Sequence, residues 1–225
     1  MANNKEIVKS KEVTLEIEPG TDVLEVNKQL AHKNIQLLRE HDVKAIDIMG
    51  SIGAGKTSLI EKLVQALKNK YRIAVFKGDL TTTIDAERIG RHGVKVVTIN
   101  TGLECHLDAN VVSKAVERIN LQDIDLLFIE NVGNLICPAE FPLGTEKRVV
   151  VVSVTEGPYM VLKHPFTFMT ADVTVINKKD LAEIMKVDTE QLKKQAKDIK
   201  PNMKVAVTNA LTGEGIEDLI EALEL

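Results

Sequence analysis

From Val43 onward, the sequence alternates short apolar runs with amphipathic segments of helical spacing. Several apolar runs, such as those in DIDLLFIEN and KRVVVVSVTEG, are continuous, which is typical of parallel strands that are buried on both faces. Strands that alternate with helices indicate an α/β fold with a doubly wound, mostly parallel sheet. Ligands bind such sheets at the carboxyl ends of the strands. The residues that follow each apolar run are therefore the first candidates for function.

The beginning of the chain has a different pattern, and we expect residues 1–42 to form an N-terminal arm ahead of a main domain at residues 43–225. The stretch KEVTLEIE alternates polar and apolar side chains, as a short edge strand does. PGTD then interrupts the pattern, and Thr21 or Asp22 can cap a helix that runs to about Glu40. This arm of one strand and one helix is expected to pack against the main body.

Composition excludes several classes of function. The 225 residues carry a net charge of −4 and only 3% aromatic residues with no Trp, which argues against binding nucleic acid. No apolar stretch approaches the roughly 18 residues that indicate a membrane span. The N-terminus lacks the apolar core of a secretory signal, and two distant cysteines do not make a disulfide framework. A cytoplasmic protein that contacts no membrane is the simplest expectation.

The segment GSIGAGKTS, Gly50–Ser58, fits the pattern G-x-x-x-x-G-K-[ST] between an apolar run and an amphipathic helix. Its glycines let backbone N–H groups turn towards phosphate oxygens, and the helix N-terminus adds positive potential. Lys56 is expected to reach the β- and γ-phosphates, and the Thr57 hydroxyl to bind Mg²⁺. The predicted phosphate-binding residues are Gly53, Ala54, Gly55, Lys56, Thr57 and Ser58. The alternative, a chance match in a glycine-containing turn, does not account for the strand–loop–helix context.

Acidic residues stand at the ends of two further apolar runs, where a Mg²⁺–triphosphate site needs ligands. Glu130 ends one run, Asp79 ends another, and Asp85 follows Asp79 at the next helix. Glu130 is predicted to position metal or water. Asp79 is preferred to Asp85 as a Mg²⁺ ligand, because Asp85 can instead cap its helix. In this interpretation Lys56 neutralises γ-phosphate charge, and Glu130 or Asp79 orients the attacking water.

The segment VINKKDL places Asn177, Lys178 and Asp180 at another strand end, similar to the N-K-x-D element of GTP-binding proteins. One carboxylate can accept hydrogen bonds from both N1–H and the 2-amino group of guanine, which adenine does not offer. Lys178 can lie along the base, and Asn177 can brace the loops. The backbone of Ala210 in TNALTGEG is a candidate contact to guanine O6. The predicted nucleotide is therefore GTP.

The stretch NTGLECHLDANVV places Cys105 beside His106, at what is predicted to be the start of the helix ECHLDANVVSKAVERIN. A thiolate with an imidazole suits Zn²⁺ or Ni²⁺. Adjacent residues of one chain rarely complete a metal shell, so a symmetry mate is a sensible source of further ligands. The alternatives are that Cys105 packs as a small apolar residue while His106 faces solvent, or that Cys105 is a nucleophile. No acyl-transfer residues accompany it.

Five segments together resemble the HypB family of hydrogenase maturation GTPases, which act in nickel insertion. They are GSIGAGKTS, KGDLTTTIDAERI, NTGLECHLDANVV, ENVGNLICP and NKKDL, and the resemblance covers about Lys44 to the C-terminus. It implies a P-loop NTPase fold of the class that forms homodimers with GTP. It also implies that Cys105, His106 and Cys137 bind Ni²⁺ or Zn²⁺ between two GTP-bound protomers. The implied partners are the hydrogenase large subunit and other nickel-insertion accessory proteins.

The chain also departs from the family, and other functions compete. Many members carry an N-terminal cysteine motif or a histidine-rich tract, whereas residues 1–40 contain no Cys and only His32. This leaves a GTP-dependent interface site without separate nickel storage. Lys163 stands where the family can reach the partner's nucleotide, although a solvated lysine is an equal alternative. The competing functions are an accessory GTPase for urease or another metalloenzyme, a GTP-gated interaction module with no metal role, and a nucleotide kinase.

Overall fold

A computed structural model describes residues 5–9, 22–79, 84–102 and 104–225. Its strands are β1 (Lys5–Lys9), β2 (Lys44–Gly50), β3 (Ile73–Asp79), β4 (Lys95–Asn100), β5 (Leu126–Glu130), β6 (Lys147–Ser153), β7 (Val173–Asn177) and β8 (Lys204–Val207). Its helices are α1 (Val23–Glu40), α2 (Lys56–Leu67), α3 (Ile84–Gly90), α4 (Ala109–Val116), α5 (Cys137–Glu140), α6 (Met160–Lys163), α7 (Pro165–Thr170), α8 (Ala182–Met185), α9 (Thr189–Ile199) and α10 (Ile216–Leu223).

The eight strands form one sheet in the order β1-β4-β3-β5-β2-β6-β7-β8, and every pair is parallel. Because all strands run in the same direction, their carboxyl ends meet at one edge of the sheet. The predicted doubly wound, parallel α/β fold is confirmed. The residues that the sequence analysis placed after strands β2, β5 and β7 accordingly face the same edge.

Apolar side chains cover both faces of the sheet. In β5, Leu126 and Phe128 pack with α2 on one face, whereas Leu127 and Ile129 pack with α4 on the other. All five residues of β5 are buried, which explains why the strand reads as a continuous apolar run. The core of the molecule therefore lies in two layers, above and below a sheet that has no solvated face at its centre.

The predicted N-terminal helix is confirmed as α1. The Asp22 carboxylate accepts from the backbone N–H of Leu24 at 2.9 Å and so caps the helix. The α1 helix packs against α4, where the buried Asn34 amide donates to the carbonyls of Ala109 and Leu143. The first helix is thus joined to the sheet domain by buried hydrogen bonds.

Two local predictions differ from the structure or lie beyond it. The predicted strand KEVTLEIE lies outside the described residues. Strand β1, which pairs with β4, was not predicted. The helix predicted from Glu104 begins at Ala109 instead, because the Asp108 carboxylate caps it by accepting from Val111 N at 2.7 Å. Cys105 and His106 therefore lie in the loop before α4.

Candidate nucleotide and metal sites

The phosphate loop joins β2 to α2 at the carboxyl edge of the sheet. The ammonium of Lys56 folds back into the loop and donates to the carbonyls of Gly50 at 2.8 Å and Ser51 at 3.0 Å. Burial lowers the pKa of Lys56, and the charge of Glu130 opposes this effect. Among the described residues, the oxygens that accept hydrogen bonds from the Lys56 ammonium are neutral carbonyls, and phosphate would give it a charged partner.

Gly55 immediately precedes α2 and has a φ of +98°. A Cβ atom at this position would lie 2.3 Å from Asn177 Nδ2. The backbone conformation and this close approach both require glycine. The second glycine of the phosphate-loop pattern is therefore explained by the contact between the phosphate loop and the N-K-x-D element.

Asn177 joins these two elements by three buried hydrogen bonds. Its Nδ2 donates to the Ala54 carbonyl at 2.9 Å, and its Oδ1 accepts from Thr208 Oγ1 and Ala210 N, each at 3.0 Å. The predicted bracing role of Asn177 thus has its geometric basis. The N–H of Ala210, which the sequence analysis assigned to guanine O6, is engaged with Asn177 in this structure.

A cavity of ≈540 Å³ lies along the phosphate loop. The cavity-lining residues that the sequence analysis predicted are Gly53, Gly55, Lys56, Thr57, Ser58, Asp85, Glu130 and Lys178. Asp180 is exposed in the turn that follows β7. A larger cavity of ≈780 Å³, bordered by Arg72 and Asp125, contains none of the predicted residues. It lies at the amino ends of β3, β4 and β5, opposite the phosphate loop, whereas the smaller cavity contains the predicted phosphate-binding residues.

Hard oxygen ligands converge at one end of this cavity. The Thr57 hydroxyl donates to Glu130 Oε1 at 2.7 Å and lies 3.4 Å from Asp85 Oδ2. Glu130 is 3% exposed, and among the described residues its Oε2 has no hydrogen-bond partner. A hydroxyl, two carboxylates and an unpaired buried oxygen fit Mg²⁺. The side chain of Asp79 lies outside the described residues, so its ranking above Asp85 stays a prediction.

A second cluster combines Cys105 and His106 with Cys137. Their ligand atoms all lie within 4.8 Å of one another. The sulfurs of Cys105 and Cys137 are 3.1 Å apart, and both cysteines are free. His106 lies against Phe141, with 4.0 Å between the ring centroids. The structure thus brings together three soft or borderline ligands from sequence positions 32 residues apart.

The two clusters are joined by the segment from Glu130 to Cys137. Within it, Asn131 Oδ1 accepts from Leu107 N at 3.0 Å, and Asn131 Nδ2 donates to Asp47 at 3.2 Å. Asn131 therefore ties the loop that carries Cys105 and His106 to strands β2 and β5.

Three residues that support these clusters were not predicted from the sequence. Lys77 contacts Glu130, Asn131 links the loops, and Arg148 pairs with the buried Asp47. The available signal was a charged residue inside an apolar strand: Lys77 in IAVFKGD and Asp47 in KAIDIMG. Such residues are rarely buried without a partner. Lys163, at the end of α6, is exposed and lines neither cavity.

The parallel sheet, the phosphate loop and the N-K-x-D element define a P-loop nucleotide-binding protein. The chain belongs to the CobW/HypB/UreG family, whose nucleotide-binding domain matches residues 44–207. Within the described residues, none of the helices is both long and apolar enough to cross a membrane.

Its relatives include HypB proteins. The chain is 54% identical over 203 residues to the probable hydrogenase maturation factor HypB of Methanocaldococcus jannaschii, covering 90% of this chain and 92% of that protein. The crystal structure of HypB from Archaeoglobus fulgidus has 47% identity and a TM-score of 0.83, covering 89% and 98% of the chains. HypB from Helicobacter pylori in complex with nickel has 33% identity and a TM-score of 0.82, covering 88% and 95%.

Proposed function

We propose that the protein is a GTP-hydrolysing metallochaperone that forms a homodimer with GTP and handles Ni²⁺ during maturation of [NiFe]-hydrogenase. The observation that carries this proposal is the Cys105–His106–Cys137 cluster, connected to Glu130 of the nucleotide cavity by one short segment. The M. jannaschii relative is called a probable hydrogenase maturation factor, and the H. pylori structure contains nickel. Both facts agree with a nickel cargo. Zn²⁺ suits the same ligands.

Three ligand atoms do not complete a four-coordinate shell. Cys105 is exposed and can present its sulfur to a second copy of the chain. A two-fold axis at this surface would supply the same ligands from the partner subunit. We therefore place the metal between two protomers, and the GTP-bound dimer is the state in which it is held.

Hydrolysis is proposed to depend on positioning and electrostatics. The Lys56 ammonium leaves the loop carbonyls to neutralise phosphate charge, and Thr57, Glu130 and Asp85 or Asp79 would hold Mg²⁺, which spreads the same charge when bound. Glu130 or Asp79 orients water, and Asp180 accepts from guanine. Lys56→Ala is expected to abolish turnover, whereas turnover equal to that of the unmodified protein would exclude this assignment.

The deciding experiment measures Ni²⁺ bound per chain by equilibrium dialysis, first with a non-hydrolysable GTP analogue and then with GDP. We expect binding with the analogue, weaker binding with GDP, and loss of binding in Cys105→Ser and His106→Ala. His92→Ala is the matched control, because His92 lies near Glu61, away from the cluster. Ni²⁺ binding that depends neither on the nucleotide nor on Cys105 would indicate that the protein is a GTP-binding module with no metal role.

The hydrogenase assignment needs a separate test. Affinity capture from extracts of the producing cells is expected to recover the hydrogenase large subunit or nickel-insertion accessory proteins. Recovery of urease subunits without hydrogenase components would assign the protein to urease instead. Neither result depends on the nickel measurement. The recipient enzyme and the metal are therefore tested independently.

A further inference from the structure

Lys77 is a buried lysine in the middle of a central strand. It lies in β3, in register with Glu130 of the neighbouring strand β5, and is 5% exposed. Burying an ammonium is costly unless it is paired and hydrogen-bonded. The structure must therefore provide anionic partners for Lys77, and the identity of these partners indicates what the residue does.

The partners of Lys77 are the carboxylates that converge on Thr57. Lys77 Nζ lies 2.9 Å from Glu130 Oε1 and 3.6 Å from Asp85 Oδ2. The Thr57 hydroxyl contacts the same Glu130 oxygen at 2.7 Å and lies 3.4 Å from the same Asp85 oxygen. The ammonium thus shares two oxygens with the hydroxyl that the phosphate loop offers to Mg²⁺. It lies beside the position that a divalent cation would take.

One further contact and one unpaired oxygen indicate that this cluster is suited to a cation. Asp85 is oriented by Arg88, whose Nη1 lies 3.1 Å from Asp85 Oδ1. Among the described residues, Glu130 Oε2 is buried without any partner. An unpaired carboxylate oxygen at this depth is costly and is explained by a ligand that it can bind. Lys77 therefore pairs with only one of the two carboxylate oxygens of Glu130, Oε1.

We propose that Lys77 is an internal counter-ion that keeps divalent cations out of the Thr57–Asp85–Glu130 cluster until nucleotide arrives. The Lys77 ammonium offsets part of the negative charge of the two carboxylates, in addition to Arg88 on the far side of Asp85, so the cluster attracts Mg²⁺ far less than two free carboxylates do. Phosphates of the nucleotide offer the ammonium another anion, so metal and nucleotide enter together. This inference rests on the proposed GTP function, because it takes the cluster as the Mg²⁺ site.

The test uses Mn²⁺ as the probe, because its free concentration can be followed by electron paramagnetic resonance. Mn²⁺ alone is titrated into the nucleotide-free protein and into Lys77→Met. We expect the variant to bind Mn²⁺ at least about tenfold more tightly than the unmodified protein, since a competing unit charge within 4 Å has been removed. Adding Glu130→Gln to Lys77→Met is expected to abolish this binding, which assigns the ion to the cluster.

Matched variants separate charge from packing. Lys77→Arg keeps the positive charge and is expected to behave as the unmodified protein. Lys44→Met removes a lysine from the opposite end of the sheet, where it contacts the Glu224 carbonyl, and is expected to change nothing. If Lys77→Met does not fold, Lys77→Gln supplies a neutral side chain that can still donate to Glu130. Unfolding temperatures with and without Mg²⁺ give a second readout.

The outcomes distinguish this inference from the proposed function. Equal Mn²⁺ affinity in the nucleotide-free unmodified protein, Lys77→Met and Lys77→Gln would overturn the role of Lys77. Tighter Mn²⁺ binding by the neutral variants supports it. Absence of GTP binding by the unmodified protein with Mg²⁺ present would overturn the GTP function instead. Since the Mn²⁺ titration contains no nucleotide, the two failures cannot be confused.

Discussion

Cys105 and His106 are sequence neighbours whose pKa values shift in opposite directions. The hydrogen bond with Cys137, followed by desolvation, raises the pKa of Cys105. Burial lowers the pKa of His106. Both shifts favour the neutral forms near pH 7. A neutral imidazole is ready to bind a metal, whereas a thiol must first lose its proton.

Nickel affinity is therefore expected to increase with pH, and the thiols rather than His106 set this dependence. As pH rises from about 6.5 to 8.5, towards the raised pKa of Cys105, protons compete less with Ni²⁺. The apparent affinity should rise by about tenfold per pH unit for each thiol proton released. Dialysis at several pH values with the GTP analogue measures this slope. A flat profile, or a profile that levels off at the pKa of a histidine, would contradict the prediction.

Local motifs account for the site residues that the sequence revealed. Lys56 and Thr57 follow from the eight-residue pattern G-x-x-x-x-G-K-[ST], and Asn177 follows from the four-residue pattern N-K-x-D. Lys77 does not, because its role arises from the register between β3 and β5, which are more than fifty positions apart. Cys137 was connected to Cys105 only by resemblance to a family. Pairing across a sheet is not contained in any short stretch of sequence.

At the scale of secondary structure elements, helix α5 carries Cys137, one of the three candidate metal ligands. This helix has only four residues, Cys137–Glu140, and so short a helix depends on external contacts. Arg148 supplies them by donating to the carbonyls of Pro138 and Ala139. Arg148 in turn pairs with Asp47, which is 0% exposed. The position of Cys137 is thus connected to the centre of the sheet.

Arg148→Met is expected to weaken nickel binding without altering any ligand, and to lower the free energy of unfolding by about 3 kcal/mol. The reason is that Asp47 is left buried without its cation. Burial already raises the pKa of Asp47 and Arg148 lowers it, so losing Arg148 raises it further. The loss of stability should therefore be larger at pH 7 than at pH 5, where more of the carboxyl is protonated.

Urea unfolding at both pH values and nickel dialysis measure these effects. Arg91→Met is the control, because Arg91 lies exposed in the turn after α3. Unchanged stability together with unchanged nickel affinity would show that α5 holds its position without Arg148. The comparison with Arg91 excludes a general effect of removing one arginine.

The boundaries of helices and strands follow from local sequence patterns in some places and from tertiary contacts in others. The bounds of α9, Thr189–Ile199, agree with signals in the sequence, since the amphipathic segment TEQLKKQAKDI directly follows the cap Asp188. The start of α4 was wrong by five positions, because apolar spacing continues upstream of the cap at Asp108. Strand β1 was missed because KEIVK is a weak signal, and its pairing with β4 is what defines it.

At the scale of the whole molecule, four large exposed apolar side chains lie close together in sequence, on α6, on α7 and at the residue that precedes α6. Tyr159, Leu162, Phe166 and Met169 are each 49–57% exposed. The α7 helix is joined to the loop that leads into α5, since Thr167 Oγ1 donates to the Leu135 carbonyl. The α7 helix therefore lies next to α5, which carries Cys137. Apolar side chains clustered next to a functional site favour an interface with another protein, in agreement with the proposed homodimer.

Phe166→Asp is expected to prevent dimer formation with the GTP analogue while nucleotide binding by the monomer persists. A carboxylate would have to be desolvated at the interface, so dimerisation should weaken by at least about tenfold. Sedimentation with the analogue measures the dimer, and fluorescence of a labelled nucleotide measures binding. Val23→Asp, on an apolar residue of α1 that is 52% exposed, is the matched control. A dimer that persists in Phe166→Asp would place the interface elsewhere.

Seven positions separate Glu130, beside the nucleotide cavity, from Cys137, in the metal cluster. Thermodynamic reciprocity has a consequence for such an arrangement. If GTP raises the affinity for nickel by some factor, nickel must raise the affinity for GTP by the same factor. In a cell with little nickel, more of the protein would then remain without GTP and unassembled. We expect the fraction of the protein that is bound to GTP to increase with the nickel supply of the cell.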